Sequence, residues 1–323
     1  MSDIAVDVYL SQDHMAQSLR ADVLDGLLAM PKTLPPKWFY DARGSELFER
    51  ITELPEYYPT RSERRILADH SPEIAELTRA VSLVELGSGS SEKTRLLLDA
   101  LCTTGLRQFV PMDVSATALR EAAAAIARDY PGLAVHGVVG DFTEHLDRLP
   151  GQRPRLAAFL GGTIGNLVPS ERAKFLSALR SVLYEGEWLL LGTDLVKNPE
   201  VLVRAYDDSA GVTAEFNKNV LAVLNRELDA DFDVSAFEHV ALWDAETEWI
   251  EMRLRATRAM RVRLAALDLD ISFDLGEELR TEVSAKFTRP GVTAELAAAG
   301  FELTGWFTDP AGRFAVTLAR AAG

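Results

Sequence analysis

Helical and strand-like segments alternate between residues 61 and 195, and this alternation constrains the fold more than any other feature of the sequence. The strand-like segments are short and almost continuously apolar, and helical periodicity follows most of them. Strands are predicted at 82–87, 109–114, 133–142, 155–167 (which ends in a loop) and 187–195, and helices at 61–79, 91–101, 115–130 and 169–183. Because strands of this kind are buried on both faces, the pattern predicts a parallel sheet covered by helices.

The flanking segments follow other patterns. Residues 12–29 carry apolar residues at four-residue spacing and predict an amphipathic helix. Residues 31–60 are rich in proline and aromatic residues and include a short helix at 45–52. Residues 197–285 combine helices with strand-like runs, and a helix at 293–301 precedes a C-terminal hairpin.

An α/β core that ends in an antiparallel hairpin is typical of class I methyltransferases, an analogy at the level of the fold alone. We therefore expect an α/β protein with a Rossmann-like core formed by residues 61–196 and 286–323. A second, smaller α+β domain for substrate binding is expected from residues 1–60 and 197–285.

The charge balance and the cysteine count narrow the class of partner. The 323 residues include 34 Lys and Arg against 49 Asp and Glu, which gives a net charge of −15. Such a chain repels phosphate backbones and anionic lipid, so we expect no nucleic-acid or membrane partner. Cys102 is the one cysteine, which fits a reducing, cytoplasmic compartment. The N-terminal segment does not have the apolar core of a signal peptide, and we expect a monomer.

The stretch VELGSGSSEKT, residues 84–94, follows the first strand of the alternation. A nucleotide phosphate loop would match Gly87, Lys93 and Thr94, but Glu92 stands where its last glycine is required. A carboxylate at about 4 Å from a phosphate costs roughly 4 kcal/mol at an effective dielectric near 20, which excludes this reading. Glu92 also replaces the third glycine of a dinucleotide loop and weakens that alternative.

S-adenosylmethionine fits the stretch better than either nucleotide. This cofactor has no phosphate and carries a positive sulfonium, which suits a loop with Glu85 on its strand and Glu92 nearby. The alternative is an ordinary turn in which glycines only permit positive φ. Ser90 or Ser91 is expected to cap the helix that follows.

Two further strand ends carry candidate cofactor ligands. Asp113 ends the second strand, where an acid can accept bonds from both ribose hydroxyls. Asp141 and Phe142 end the third strand and could bind the adenine amine and cover its ring. Each residue alone is more often a helix cap or a core ring. Together, at the carboxyl edge of a parallel sheet, they indicate a ligand site.

The sequence resembles a known family, the L-histidine Nα-methyltransferases of ergothioneine biosynthesis. The resemblance covers nearly the whole chain, and its motifs are PKWFYD (36–41), LPEYYPTR (54–61), VELGSGSSEKTR (84–95), GGTIGNL (161–167), LLLGTDLVK (189–197), RAYDD (204–208), FNKNVL (216–221) and TEVSAKF (281–287). Gly162, Ser90 and Ala285 depart from the Ser, Thr and Cys that are frequent in that family. The departure at Gly162 puts the fine positioning of a site loop in doubt.

The resemblance implies S-adenosylmethionine as cofactor and a histidine pocket between the two domains. It also implies threefold methylation of the α-amine to hercynine. The implied substrate-binding residues are Tyr57, Asn166, Tyr206, Met252, Glu282 and Ser284, with Tyr40 and Asn166 as catalytic candidates. The implied cofactor-binding residues are Gly87, Lys93, Asp113, Asp141 and Phe142.

The substrate residues can also be read from their chemistry. Glu282 and Ser284 share one face of a predicted strand, where they could bind the two nitrogens of an imidazole. A solvated polar face is the alternative. Asn166 could fix the substrate's amino or carboxylate group, or it could be a turn asparagine. Tyr57 and Tyr206 could equally be half-buried rings with polar tips.

The sequence leaves three rival functions open. One is N-methylation of another amino acid such as tryptophan, although a carboxylate gains little from an indole with a single N–H. The others are an NAD-dependent enzyme and a non-catalytic ligand-binding protein on the same scaffold. We expect no metal, because the five histidines show no ligand spacing and each reads more simply as a surface or capping residue.

Overall fold

A computed structural model describes residues 4–89 and 91–323, and Ser90, one of the two predicted caps, lies outside the described residues. The helices are α1 (Gln12–Leu28), α2 (Ala42–Glu53), α3 (Pro59–Thr78), α4 (Thr94–Thr104), α5 (Ala116–Asp129), α6 (Pro169–Val182), α7 (Pro199–Tyr206), α8 (Val212–Glu227) and α9 (Arg289–Ala298). The strands are β1 (Ala5–Val8), β2 (Lys32–Thr33), β3 (Ser82–Leu86), β4 (Gln108–Asp113), β5 (Ala134–Val139), β6 (Arg155–Phe159), β7 (Trp188–Asp194), β8 (Phe237–Asp244), β9 (Trp249–Ala256), β10 (Met260–Leu264), β11 (Leu269–Phe273), β12 (Glu278–Ala285), β13 (Phe301–Thr308) and β14 (Phe314–Ala321).

The chain divides into two compact units. Unit 1 contains the segment that ends at Leu10, together with Pro59–Val196 and Lys286–Gly323, and unit 2 contains Ser11–Tyr58 and Lys197–Ala285. In the described ranges, no helix is both long enough and apolar enough to cross a bilayer.

Unit 1 is built on a sheet with the strand order β1-β5-β4-β3-β6-β7-β14-β13. The pairs from β1 to β7 are parallel, and β14 and β13 add an antiparallel hairpin at one side. This arrangement confirms the predicted α/β core with its C-terminal hairpin. Since the strands are parallel, β3, β4, β5 and β6 all end at the same edge of the sheet, which is where ligands bind in such folds.

The N-terminal strand corrects the predicted domain boundary. Residues 1–60 were expected in the second domain, but β1 pairs with β5 in unit 1, with Ala5 opposite His136 and Val8 opposite Val139. Four residues with one aspartate among them do not form an apolar run. Their strand conformation therefore depends on the edge of the sheet that they join.

Unit 2 holds a four-stranded sheet with the order β2-β12-β9-β8 and a separate hairpin of β10 and β11. Strand β9 pairs antiparallel with β12 and with β8, whereas β2 pairs parallel with β12. Its core is distinct from that of unit 1 and includes the fully buried rings Phe39, Phe237 and Phe273. Burial of each such ring contributes about 1.5–3 kcal/mol, so the proline- and aromatic-rich segment belongs to a packed core and is no linker.

Candidate active site

The glycine loop follows β3 directly. Gly87 and Gly89 have φ of +68° and +49°, a left-handed conformation that favours glycine. The N–H groups of Gly87 and Ser88 donate to the Met112 carbonyl, at 2.9 and 3.0 Å. A Cβ added at Gly89 would meet no atom within 4 Å, so the loop opens onto free space there. The glycines therefore permit the turn and also leave room for a ligand.

The Ser88 hydroxyl is buried and has no hydrogen-bond partner among the residues that the structure describes. A buried hydroxyl without a partner costs about 1–3 kcal/mol, so most are satisfied in native proteins. A polar ligand at the glycine loop would supply the missing partner.

The sequence analysis expected Glu85 beside the cofactor, but its side chain does not face the space at the glycine loop. Its side chain is buried and accepts hydrogen bonds from the Ser91 hydroxyl, at 3.1 Å, and from the Thr94 hydroxyl. Burial raises the pKa of Glu85 to about 7, against the lowering effect of these two bonds. The predicted cap at Ser91 is wrong, because α4 begins at Thr94 and the Ser91 hydroxyl is engaged with Glu85.

Lys93 is tied to a carboxylate that the sequence analysis missed. Its ammonium forms an ion pair with Glu63, which is fully buried on α3. Glu63 also accepts the Gly161 N–H with both carboxylate oxygens, at 2.8 and 3.0 Å. One carboxylate thus joins the start of α4 to the loop after β6. Its position three and four residues before Ile66 and Leu67 places it on the apolar face of α3, a signal that the sequence contained.

Asp113 lies at the end of β4 beside the glycine loop. Its two carboxylate oxygens accept the N–H groups of Gly89 and Ser115, each at 2.9 Å. Burial raises the pKa of Asp113, and these backbone bonds act in the opposite direction. Each oxygen keeps a lone pair for a further donor, since a carboxylate offers about four acceptor positions.

Asp141 and Phe142 follow β5 at the same edge. Asp141 Oδ1 accepts the N–H and the hydroxyl of Thr143, at 2.7 and 2.6 Å. The centroids of the Phe142 and Phe159 rings are 4.9 Å apart. A Cβ added at Gly87 would lie 4.0 Å from the Phe142 ring. Phe142 therefore forms a wall beside the glycine loop, and Asp141 Oδ2 makes no bond within the described ranges.

Asn166 belongs to the loop after β6. Gly161 and Gly162 have φ of +79° and +74°, and a single turn of 3-10 helix, Thr163–Asn166, follows them. Asn166 is partly exposed, and its amide makes no hydrogen bond to the described part of the chain. The Glu63 bond to Gly161 holds this loop at its base.

Three of the predicted substrate residues and the catalytic candidate Tyr40 form one connected cluster in unit 2. The Tyr206 hydroxyl lies 2.7 Å from the Ser284 hydroxyl. The Tyr57 ring meets the Tyr206 ring edge-on at 6.5 Å, and Phe48 lies 6.2 Å from Tyr57 and 5.6 Å from Tyr40. Tyr57, Tyr206 and Ser284 are buried, whereas Tyr40 is 39% exposed.

A bulge in β12 brings Glu282 and Met252 to this cluster. Arg280 pairs with Arg253 and Glu282 pairs with Met252, so Thr281 is one residue in excess on β12. As a result, Glu282 and Ser284 share the sheet face of Met252. The face of β12 that carries Glu282 and Ser284 is therefore not a solvated polar face, since Ser284 is buried and Glu282 is partly buried.

Comparison with known proteins identifies the chain. A family model described as histidine-specific methyltransferase, SAM-dependent, matches residues 19–321. The chain belongs to this family. A histidine N-alpha-methyltransferase of Mycolicibacterium smegmatis is 60% identical over 312 residues, which cover 96% of this chain and 97% of the relative. A protein of the same name from Mycobacterium tuberculosis is 58% identical over 98% of this chain and 99% of the relative. A 4-dimethylallyltryptophan N-methyltransferase of Claviceps purpurea is 31% identical over 61% of both chains.

The family assignment confirms the resemblance seen in the sequence and the choice of cofactor. The methyltransferase uses S-adenosylmethionine, and the glycine loop suits this cofactor in two respects. Gly89 leaves open space, and the buried Ser88 hydroxyl requires a polar partner. The cofactor brings no phosphate, in agreement with an exposed Glu92 at the position where a phosphate loop needs glycine.

One histidine of the methyltransferase was misjudged. His239 was expected at the surface or in a cap, but it lies in a partly buried position on β8 and bonds with both ring nitrogens. Its Nδ1 lies 2.8 Å from the Asn217 amide, and its Nε2 lies 2.8 Å from the Tyr206 carbonyl oxygen. Asn217, on α8, was also missed. Like Glu63, it precedes apolar residues, Val220 and Leu221, at helical spacing.

Proposed function

We propose that this methyltransferase adds three methyl groups to the α-amino nitrogen of L-histidine and thereby makes hercynine. The family model supports histidine and S-adenosylmethionine. The two mycobacterial relatives, whose names specify the N-alpha position, support the choice of nitrogen. The proposal depends above all on the pair formed by Tyr206 and Ser284 beside Glu282.

Imidazole recognition follows from the hydroxyl pair. In our proposal, Glu282 accepts the N–H of a neutral imidazole, and the Ser284 hydroxyl donates to its other nitrogen. Because the Ser284 proton is then committed, the Tyr206 hydroxyl must donate to Ser284 across their 2.7 Å separation. All three bonds then run in one direction, from Tyr206 to Glu282. An indole, which has one N–H and no acceptor nitrogen, offers no acceptor for the proton of the Ser284 hydroxyl.

The donor site is proposed in unit 1. When bound, S-adenosylmethionine supplies an electrophilic methyl group on a sulfonium. Asp113 would accept bonds from the ribose hydroxyls, and Asp141 Oδ2 would accept the adenine amine beside the Phe142 ring. Lys93 keeps N–H donors beyond its bond to Glu63 and would bind the carboxylate of the methionine tail. Gly87 allows the loop to approach the ligand closely.

Catalysis is proposed to come from orientation. The α-amine must be neutral to provide a lone pair, and its ordinary pKa of about 8 makes deprotonation inexpensive. Effective molarities of about 10⁵–10⁸ M are available from alignment alone. Asn166 and the Tyr40 hydroxyl would orient the amine without the full negative charge that holds a proton on it. The faces of Tyr40 and Tyr57 would stabilise the cationic products through cation–π contact.

Location and assembly form part of the same proposal. A cytoplasmic monomer agrees with the net charge of −15 and with Cys102 as the one cysteine of the sequence. Light scattering on the purified enzyme measures its mass in solution, and a dimer mass would contradict the monomer.

Incubation with methyl-labelled S-adenosylmethionine and each of the twenty amino acids, followed by mass analysis, tests the proposed function. Label incorporated only with histidine, up to a gain of three methyl groups, is the expected result. Label on tryptophan instead would favour the rival function, N-methylation of another amino acid. A product methylated on the ring would contradict the orientation proposed for the imidazole.

A further inference from the structure

The Asn217 side chain has a complete set of partners in a fully buried position. Its Nδ2 donates to the Arg253 carbonyl at 3.1 Å and lies 2.8 Å from His239 Nδ1. Its Oδ1 accepts the Thr281 hydroxyl at 2.5 Å. The Arg253 carbonyl only accepts, so the Asn217 amide can have one orientation here, with Nδ2 toward β9. Both N–H donors and the acceptor are therefore used.

Asn217 also determines the tautomer of His239. Since Nδ2 donates to Nδ1, this ring nitrogen must carry the lone pair. The proton is then on Nε2, which donates to the Tyr206 carbonyl at 2.8 Å. Burial lowers the pKa of His239 and keeps the ring neutral, in agreement with this arrangement. The last residue of α7 is thus held through its backbone, and the Tyr206 hydroxyl is left for Ser284.

The Oδ1 atom of Asn217 connects to β12, the strand that carries Glu282 and Ser284. Thr281 is the extra residue of the β12 bulge and immediately precedes Glu282. Its hydroxyl lies 2.5 Å from Asn217 Oδ1 and 3.0 Å from the Met252 carbonyl. One side chain on α8 therefore holds α7, β9 and the bulge of β12 together, immediately behind the residues proposed to bind imidazole.

We propose that Asn217 is a positioning residue for substrate recognition, which acts through His239 on Tyr206 and through Thr281 on Glu282. It touches neither substrate nor cofactor in this proposal, which rests on the histidine site proposed above. Its amide sets the distance between the hydroxyl pair on one side of the imidazole and the carboxylate on the other. Loss of the amide should therefore weaken histidine binding and leave the donor site unchanged.

Two variants that keep side-chain shape test this role. Asn217→Asp removes both N–H donors, and Thr281→Val removes the hydroxyl that Asn217 accepts. We expect each to raise the Kd for histidine about tenfold or more, equivalent to about 1.4 kcal/mol, measured by calorimetry. The Kd for S-adenosylhomocysteine should change less than about twofold. KM for histidine should rise more than kcat falls.

The matched control is Asn225→Asp on the same helix. The Asn225 side chain also makes two bonds, to the N–H and the carbonyl of Phe232, at 2.8 and 2.9 Å, but neither partner belongs to the substrate cluster. We expect a lower melting temperature and an unchanged Kd for histidine. If Asn217→Asp does not fold, Thr281→Val, which exchanges a single hydroxyl for a methyl, decides alone. Wild-type histidine affinity in a folded Thr281→Val variant would overturn the proposal.

The ring of His239 gives a second readout, which a general loss of stability would not produce. Nitrogen NMR of the labelled wild-type enzyme at neutral pH should show a neutral ring with the proton on Nε2. In Asn217→Asp, the new carboxylate favours a ring protonated on both nitrogens, so the Nδ1 signal should move to the protonated range. A wild-type ring protonated on Nδ1 would contradict the assignment.

The histidine site and its positioning residue can fail separately. Unchanged histidine affinity in Glu282→Gln and in Ser284→Ala would refute the proposed site itself. Lost affinity in those two variants, with normal affinity in Asn217→Asp and Thr281→Val, would refute only the positioning role.

Discussion

Two glutamates on β12, Glu278 and Glu282, lie on opposite faces of the strand. Glu278 lies opposite Arg255 and binds the guanidinium groups of Arg253 and Arg255, at 2.6 to 2.8 Å. Glu282 lies on the other face, opposite Met252. The difference arises from the bulge between them, because the two residues would share a face in a regular strand.

Glu282→Gln keeps the shape of the side chain and removes its charge. A hydrogen bond to a charged group contributes about 1.5–3 kcal/mol, so histidine affinity should fall roughly 10- to 150-fold. Calorimetry with histidine and with S-adenosylhomocysteine measures both sites on the same sample. Glu278→Gln on the same strand is the control and should leave both affinities unchanged. Equal effects of the two variants would indicate a general disturbance of β12.

Glu85 makes the stability of the glycine loop dependent on pH. Its pKa is about 7 in the fold against 4.5 without burial, so the folded protein binds the extra proton between these values. The stability that this proton provides is present below about pH 4.5 and is lost as the pH rises to about 7, a difference of about 3 kcal/mol. Glu85→Gln, which stays neutral, should therefore gain stability relative to wild type from pH 5 to pH 8.

Urea unfolding at about pH 5 and about pH 8 measures the stability of Glu85→Gln relative to wild type. Glu92→Gln, at an exposed position of the same loop, is the control and should follow the wild type at both pH values. A difference between Glu85→Gln and wild type that does not vary with pH would show that the carboxyl group stays ionised throughout.

The regular elements of unit 1 were predictable because apolar runs and helical periodicity are local properties of the sequence. The edge strand β1 was not, because Ala5 and its partner His136 are far apart in the chain and Ala5 does not lie in an apolar run. The bulge at Thr281 could not be predicted either, because it depends on the register in which β12 pairs with β9. Within the site, the sequence indicated that Glu282 and Ser284 share a face, and the register confirms this.

Gly192 on β7 belongs to the environment of Glu63. A Cβ at this position would lie 2.2 Å from Glu63 Oε1 and 3.3 Å from the Leu160 Cα. Gly192→Ala should therefore displace the carboxylate that holds Gly161. We expect a loss of about 1–3 kcal/mol in the free energy of unfolding, together with reduced activity, because the Asn166 loop loses its anchor.

Urea unfolding and steady-state kinetics measure the two effects. Gly137→Ala on β5 is the matched control, since its nearest neighbour would be Leu119 at 3.4 Å, an ordinary contact. It should change stability by less than about 1 kcal/mol and leave activity intact. Equal stability of the two variants would mean that Glu63 moves aside without cost.

Each unit of the methyltransferase has its own hydrophobic core. Phe109 and Leu190 belong to the core of unit 1, and Phe39 and Phe237 belong to that of unit 2. The proposed donor residues are all in unit 1, whereas the proposed imidazole residues are all in unit 2. Chains with more than one core often unfold in more than one step, so ligands can stabilise the cores separately.

Hydrogen exchange followed by mass spectrometry should separate the two ligands. S-adenosylhomocysteine at about 100 times its Kd stabilises the state that it binds by about 2.7 kcal/mol and should slow exchange mainly in β3 and β4. Histidine alone should slow exchange mainly in β9 and β12. Protection of β3 and β4 by histidine, with none in β12, would contradict the assignment of the imidazole residues to unit 2.

The extra residue in β12 determines on which face of the sheet Glu282 lies. If pairing continued without a shift after Arg280, Thr281 would take the place opposite Met252, and Glu282 would lie opposite Glu251, carboxylate against carboxylate. Such a register slip would leave most of the sheet intact and turn the carboxylate that we propose to bind imidazole to the opposite face. In our proposal, a molecule with this shifted register would be folded but would not bind histidine. The active fraction obtained on refolding therefore depends on the register at this bulge, and a melting temperature does not report that fraction.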